Sequence, residues 1–354
     1  MKQLKINETP VRTSRNFNIN NIKIQDSEIP KVIEEFNNVT LIGKDTKVQI
    51  EPNINYYNLT YGLGEVFENQ VKRQANQKIK MTVDSKTEKE MQIEFKFDKQ
   101  NKNLVEDIQI IANSETKETV IIKYKSKDNE KYFHNGIIRV LAKENSSINV
   151  IIVNLMNTKS NNFISIENEL EKNAKIKYTI IDFGGKNSIT NYYSNLIGED
   201  SENILNTIYL GKDEQLFDLN YIGEIRGKKS NIDIEVQGAL KDKSKKKFKG
   251  TIDFKKGCKK ATGNENESCT LLSEHAKSLA LPMLLCSEED VEGNHSTSSG
   301  KVGEKELFYI MSRGFEQKEA MKLMVRAKFN KIITNIKNEE LKEEILEEIN
   351  KRLD

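Results

Sequence analysis

The sequence predicts a mainly β protein, a β-solenoid with a repeat of about 28 residues that is followed by an α-helical domain. Three observations carry this expectation. Four isoleucines, Ile148, Ile176, Ile204 and Ile232, recur at a spacing of 28 residues. Each lies in a stretch that opens with small polar residues and continues as alternating apolar positions, the mark of a strand with one buried face. Beyond residue 300 the apolar spacing changes to steps of three and four, the period of a helix. The expected organisation is a short N-terminal segment (1–40), a solenoid core (41–300) and a C-terminal helical domain (301–354).

The first strands of the repeat read NSSINVIIVN, KNAKIKYTIID, DSENILNTIYL and KKSNIDIEVQG. One period earlier Val120 is in phase, and a further period back Ile93 is one residue out. Second strands fall between them, in GIIRVLA, NFISIENEL, TNYYSNL and LFDLNYIGEI, so each period supplies two strands and their turns. A coil of this kind cannot bury its single apolar row alone. Stacked coils can, and the inward isoleucines would form a ladder. A β-sandwich with evenly spaced strands is the alternative. The repeat fades after about residue 255, where the next step lands on Lys260 in the polar, turn-rich FKKGCKKATGNENESC. EKELFYIMSR then reads as a helix ended by Gly314. A second helix places Met321, Met324, Val325, Phe329, Ile332, Ile333 and Ile336 on one face. Asn338, followed by Glu339 and Glu340, caps a last amphipathic helix.

Composition excludes several function classes. The 56 Lys and Arg nearly balance 54 Asp and Glu, so the chain lacks the concentrated basic footprint of a nucleic-acid binder. Three cysteines, at 258, 269 and 286, make no disulfide framework and suit a reducing compartment. The start MKQLKINETPVRTSRNFN has no apolar leader segment, and no run approaches about 18 apolar residues, so neither export nor a membrane span is expected. A cytoplasmic protein is the expectation.

The chain has no G-x-x-x-x-G-K-[ST], C-x-x-C, H-E-x-x-H or G-x-S-x-G. It therefore binds no nucleotide through a P-loop. The G-x-G of TYGLGEVFENQ lacks a third glycine and a βαβ setting. What remains is the segment from Glu265 to Gly314, which holds two of the three cysteines and two of the three histidines. Cys269 follows the polar NENES and reads as accessible. His295 lies 26 residues on, close to one coil, which would stack the pair on neighbouring rungs. Thiolate and imidazole suit iron, zinc or sulfur chemistry, although spacing alone equally allows two unrelated residues. Cys286, in the apolar LPMLLC, reads as a buried small hydrophobe, and Cys258, among Lys256, Lys259 and Lys260, as an ordinary surface or inward cysteine. His275 reads as a surface residue.

The segment VEGNHSTSSGKVGEKELFYIMSRGFEQKEAMKLMV, with its L-F-Y-x-x-S-R-G core and Ala320 six residues after the glycine, resembles the C-terminal signature of the SufB/SufD proteins. PVRTSRNF near the start echoes the N-terminal region of the same family. These are scaffold subunits of an iron–sulfur cluster assembly machine, built on a right-handed parallel β-helix. NESC matches the coil that carries the SufB cysteine, which makes Cys269 a SufB-type cysteine, while His295 resembles the SufD-type histidine. The resemblance implies a scaffold rather than an enzyme, on which a transient iron–sulfur cluster forms from iron and persulfide sulfur at a dimer interface. Cys269 and His295 would be its ligands, with Glu292 as a candidate oxygen ligand. Implied partners are a SufC-like ABC ATPase, a sulfur-donor desulfurase system, and either a second copy of the chain or a SufB/SufD paralogue. ATPase docking would fall on 303–336, with Leu307, Phe308, Tyr309, Arg313, Gly314 and Phe315 at its centre. A non-catalytic β-solenoid binding or structural protein is the alternative, as is an exported polysaccharide-cleaving β-helix.

Overall fold

The computed structural model describes residues 3–13, 18–43, 48–51, 58–84 and 90–354. Part of PVRTSRNF, residues 14–17, lies outside them. Among the described residues the chain forms two nine-stranded sheets and a separate two-stranded ribbon, Gln3–Ile6 with Ile22–Gln25. From Gln77–Val83 onward successive strands alternate between the two large sheets, so each coil gives one strand to each sheet and pairs only with the coils before and after it. From Met91–Phe97 and Gln77–Val83 onward every pairing in the two large sheets is parallel, ending in the edge strands Val291–Lys301 and Lys277–Cys286. The first strand of each sheet, Val39–Ile42 and Val48–Glu51, pairs antiparallel. The expected β-solenoid with C-terminal helices is the observed fold.

The predicted ladder is only partly regular. Ile148 stacks on Ile176 as the spacing requires. The next coil is one residue shorter, so Ile176 meets Asn203, and Ile204 falls opposite Lys177 with its side chain turned to the other face. A one-residue slip exchanges inside for outside. Asn203 is accommodated in the lumen because its amide exchanges hydrogen bonds with the Tyr192 hydroxyl at 2.8 and 3.0 Å. Likewise Val120 stacks on Val150 rather than on Ile148. Coil lengths run from 26 residues (Asn161 opposite Asn187) to 32 (Lys245 opposite Lys277), so a strict period captures the architecture but not each rung. The solenoid itself runs on past residue 255, where the sequence repeat fades. It continues through Ala261–Leu271, Lys277–Cys286 and Val291–Lys301. That part escapes a hydrophobic-period reading because its inward row includes glutamates.

Both outer faces of the solenoid are partly covered. Helix α1 (Glu65–Gln74) and the N-terminal ribbon lay Phe67, Val71, Leu4 and Ile24 against Phe133, Ile137 and Phe163 of one sheet. Helix α2 (Glu304–Ser312) follows the edge strand. Helices α3 (Gln317–Ile333) and α4 (Glu339–Leu353) fold back onto the other sheet, packing Val325, Phe329, Ile332, Ile345 and Ile349 on Ile151, Val153, Ile181 and Ile208. Met321 and Met324 of the predicted stripe are only half-buried. Burial of the Phe329 side chain alone contributes about 2 kcal/mol. The Asn338 side chain accepts from the Leu341 N–H at 3.0 Å, the predicted N-cap.

The lumen also carries a buried polar chain. The His134 ring sits 2.7 Å from Asn162 Oδ1 and 3.2 Å from Glu106 Oε1, and Tyr124 donates to the same Glu106 oxygen. Asn162 donates to Ser188 Oγ, and Ser188 and Asn154 donate to Asp182. Burial pushes the Asp182 carboxyl from its ordinary 3.8 up to about 6, against the pull of Ser188 and Asn154. Between those two values the folded chain holds a proton that the unfolded chain has released, so stability falls as pH rises from about 4 to 6 and then levels. Asp182→Asn keeps an acceptor for both donors and removes this dependence. Urea unfolding of the two proteins should show wild type losing roughly 3 kcal/mol more than the variant across that window. Parallel curves would contradict the assignment.

Candidate functional site at the open end of the solenoid

The last coil has no successor, so the two edge strands leave the lumen open at the C-terminal end. On the penultimate strand of one sheet, alternate residues Ala261, Gly263, Glu265, Glu267 and Cys269 point inward and are buried. The edge strand continues the same row, with Gly293 opposite Gly263, His295 opposite Glu265, Thr297 opposite Glu267 and Ser299 opposite Cys269. Its residues are exposed from Glu292 onward because nothing packs beyond them.

Cys269 and His295 therefore occupy adjacent rungs and one face, as the 26-residue spacing suggests, but they are not side by side. They are offset by four residues along the strands, about 13 Å. Cys269 lies in a strand rather than a loop and is 2% exposed. Burial pushes its thiol up, while the Lys246 ammonium and the Tyr209 hydroxyl pull the other way. The accessible, reactive thiol expected from NENES is thus enclosed in the resting protein. Glu292 has the opposite parity to His295, pairs with Thr262 and leaves the outer face of its strand.

Four neighbours of Cys269 and His295, namely Glu265, Glu267, Lys246 and Tyr209, were not legible as site residues. Lys246 Nζ reaches Glu267 Oε1 at 2.7 Å, and the Tyr209 hydroxyl donates to the same oxygen at 3.0 Å. Glu265 finds no hydrogen-bond partner for either carboxylate oxygen, nor does Glu267 for its second. Burial, then the charge of Glu267, pushes the Glu265 carboxyl from 4.5 up to about 8. Two glycines clear the necessary space. A Cβ on Gly250 would stand 2.2 Å from the Glu265 carboxyl carbon, and one on Gly238 would stand 1.8 Å from the Tyr209 ring. The available signal was the inward parity of Glu265, Glu267 and Cys269, visible only once the register is known. Among the described residues no three His, Cys, Asp or Glu side chains stand close enough to hold one ion.

Of the other cysteines, Cys286 departs from its expected burial, and Cys258 takes the inward of its two expected places. Cys286 is exposed, its thiol donating to the Glu288 carbonyl at 2.9 Å. It occupies an inward position opposite Phe254, but on the last coil, where the core ends. Cys258 is buried in the preceding turn, and burial pushes its thiol up despite the surrounding lysines. His275 is exposed, as expected.

Helix α2 has no buried residue. Phe308 is 73% exposed, Tyr309 and Phe315 are exposed, and Leu307 is half-covered. Arg313 stacks over the Tyr309 ring at 5.2 Å and donates to its hydroxyl at 3.0 Å. Gly314 ends the helix at φ 98°, the left-handed conformation anticipated for it. No described helix is long and apolar enough to cross a membrane.

The model of the SUF system FeS cluster assembly, SufBD core domain, matches residues 95–328, from the early coils into α3. The chain belongs to the SufBD family. It is 26% identical over 254 residues to the iron–sulfur cluster assembly protein SufD of Bacillus subtilis, covering 71% of this chain and 58% of that protein. It is 22% identical over 236 residues to SufD of Escherichia coli, covering 66% and 56%. A SufBD family protein of Pyrococcus horikoshii is 30% identical over 158 residues, covering 44% and 34%. The chain thus spans less than two thirds of the length of these relatives.

The burial of this SufBD chain's thiols gives a direct expectation. Iodoacetamide applied to the native protein should label Cys286 first, with Cys258 and Cys269 at least about tenfold slower. Peptide mass spectrometry reads the order. Labelling of Cys269 as fast as Cys286 would show that the end coil opens freely.

Proposed function

We propose that this chain is a scaffold subunit of a Suf-type assembly system, on which a nascent iron–sulfur cluster forms at the open end of the solenoid. The observation that carries the reading is the placement of Cys269 and His295 in the inward rows of the last two rungs of a lumen that ends in unpaired strand edges. Iron and sulfur are cargo here. Cys269 is the sulfur acceptor: its thiolate attacks the outer sulfur of a donor persulfide, the new S–S bond forms at Cys269, and the donor leaves as a thiolate. A desulfurase system would supply that persulfide. His295 offers an imidazole to iron. Glu292, on the outer face, would serve only as an oxygen ligand presented to a neighbouring chain.

Two exposed edges at one end suit association with a second solenoid end, since unpaired N–H and C=O groups invite a further strand. The second solenoid is either another copy or a SufB/SufD paralogue. The chain has no P-loop, so the energy source is a SufC-like ABC ATPase. Helix α2 is the docking element: Phe308, Tyr309 and Phe315 present apolar rings to a groove, Leu307 backs them, Arg313 braces Tyr309, and Gly314 sets the turn into Phe315. Because α2 directly follows the edge strand, ATPase movement would act beside the end coil and could expose the enclosed Cys269. These reactions belong in the cytoplasm, where a free thiol survives.

Anaerobic reconstitution tests the assembly role. Wild type co-expressed with the ATPase should take up iron and sulfide, whereas Cys269→Ala should lose most of both. Equal contents would refute the role. Docking has a separate test. Phe308→Glu combined with Tyr309→Glu should abolish co-purification of the ATPase with an unchanged circular dichroism spectrum, because neither ring contributes to the fold. Retained co-purification would move the docking surface elsewhere.

A further inference from the structure

The mouth of the lumen contains a buried carboxyl group whose oxygens the protein leaves without partners. Glu265 and Glu267 are 2% and 1% exposed. Lys246 is the ammonium paired with them, and it is spent on Glu267 Oε1. Three carboxylate oxygens, both of Glu265 and one of Glu267, lack any partner. A buried carboxylate in that condition either keeps a proton or takes a cation. The space around it is also shaped. Across the lumen Gly250 has no side chain where the Glu265 carboxylate lies, since even a Cβ there would sit 2.2 Å from the carboxyl carbon.

The next rung outward from Glu265 is His295, its register partner on the same strand face. Neighbouring strands stand about 4.8 Å apart and both side chains leave the same face, so rotation of the exposed imidazole can bring both groups to one small ion. The imidazole is exposed and the lumen is open on that side, which gives the ion a path. Oxygen and nitrogen donors suit a divalent first-row cation and differ from the soft thiolate of Cys269, about 13 Å along the strand.

We infer that Glu265 and His295 form a divalent-cation site at the mouth of the lumen, which takes ferrous iron apart from the sulfur-accepting Cys269. The choice of iron rests on the assembly reading; the site itself rests on the geometry. One chain supplies two ligands, consistent with the absence of any three-residue cluster among the described residues, and water or a second chain facing the open end completes the shell.

Cobalt(II) is the probe, added anaerobically to purified apo-protein and followed by its visible d–d bands and by calorimetry. Wild type should bind one ion per chain. Glu265→Gln and His295→Ala should each weaken binding by about tenfold or more, while Cys269→Ser should bind as wild type without altering the near-ultraviolet spectrum. Glu265→Gln removes an unpaired charge and should melt no lower than wild type, and His295 is exposed, so misfolding will not mimic the loss. Failure of wild type to bind, unchanged binding by Glu265→Gln, or a sulfur-to-cobalt charge-transfer band that disappears in Cys269→Ser would each overturn the site. Cobalt binding that depends on Glu265 in a protein that accepts no sulfur would sink the assembly reading and leave the site standing. Sulfur loading that depends on Cys269, with cobalt binding indifferent to Glu265, would do the reverse.

Discussion

Every strand in the solenoid finds its partners on the coils before and after it, and that single pairing rule governs the rest of the structure. It makes the lumen a stack of rungs in which each inward side chain meets its counterpart one coil away. It also means that stacking cannot finish itself. At one end antiparallel strands, Val39–Ile42 and Val48–Glu51, change the pairing sense. At the other, Lys277–Cys286 and Val291–Lys301 stop with one side bare. The chemistry-bearing residues collect at the bare end, where inward positions cease to be core.

The same rule explains which parts of the protein could be read from sequence. The solenoid was legible because alternation survives small changes in coil length: Ile148 and Ile176 stack, and even where Ile204 slips out, Asn203 and its Tyr192 partner keep the rung filled. The apolar face of α3, the Gly314 end of α2 and the Asn338 cap of α4 were legible because helix periodicity and capping are local. The exposure of the cysteines was not. LPMLLC looks like core, and Cys286 does point inward, but coil order places it where the core has ended. NENES looks like surface, yet Glu265, Glu267 and Cys269 take alternate inward positions one coil earlier. Local composition reports hydrophobicity, whereas burial here depends on how many coils follow.

The polar residues of the lumen follow a gradient of satisfaction. In the middle coils, His134, Asn162, Ser188 and Asp182 hand hydrogen bonds from rung to rung. Tyr178 and Asn168, and Tyr192 and Asn203, bond across the lumen between the two sheets. A narrow core thereby tolerates polar groups, because they find partners on the next coil or on the facing sheet. Near the open end the chain of partners breaks. Glu267 has Lys246 and Tyr209 on one oxygen, and Glu265 has nothing. Single unpartnered oxygens occur elsewhere, as at Glu106 and Ser194, but at Glu265, just inside the mouth, both carboxylate oxygens lack a partner, and there a cation can arrive from outside.

An enclosed thiol and an exposed imidazole on adjoining rungs make unequal demands on the fold. His295 is open to solvent with the solenoid at rest, because the edge strand has only one neighbour. Cys269 is closed at rest, because Ser299 lies over it and Lys246, Tyr209 and Ser278 surround it. Reaching it requires the edge strand to part from its single neighbour, and that strand is paired on one side only. The segment best placed to pull on it is the one that follows directly, α2, whose aromatic face is uncovered. The order of elements, from enclosed thiol to edge strand to bare helix, sets a mechanical sequence in which a force applied at α2 reaches Cys269 through one strand.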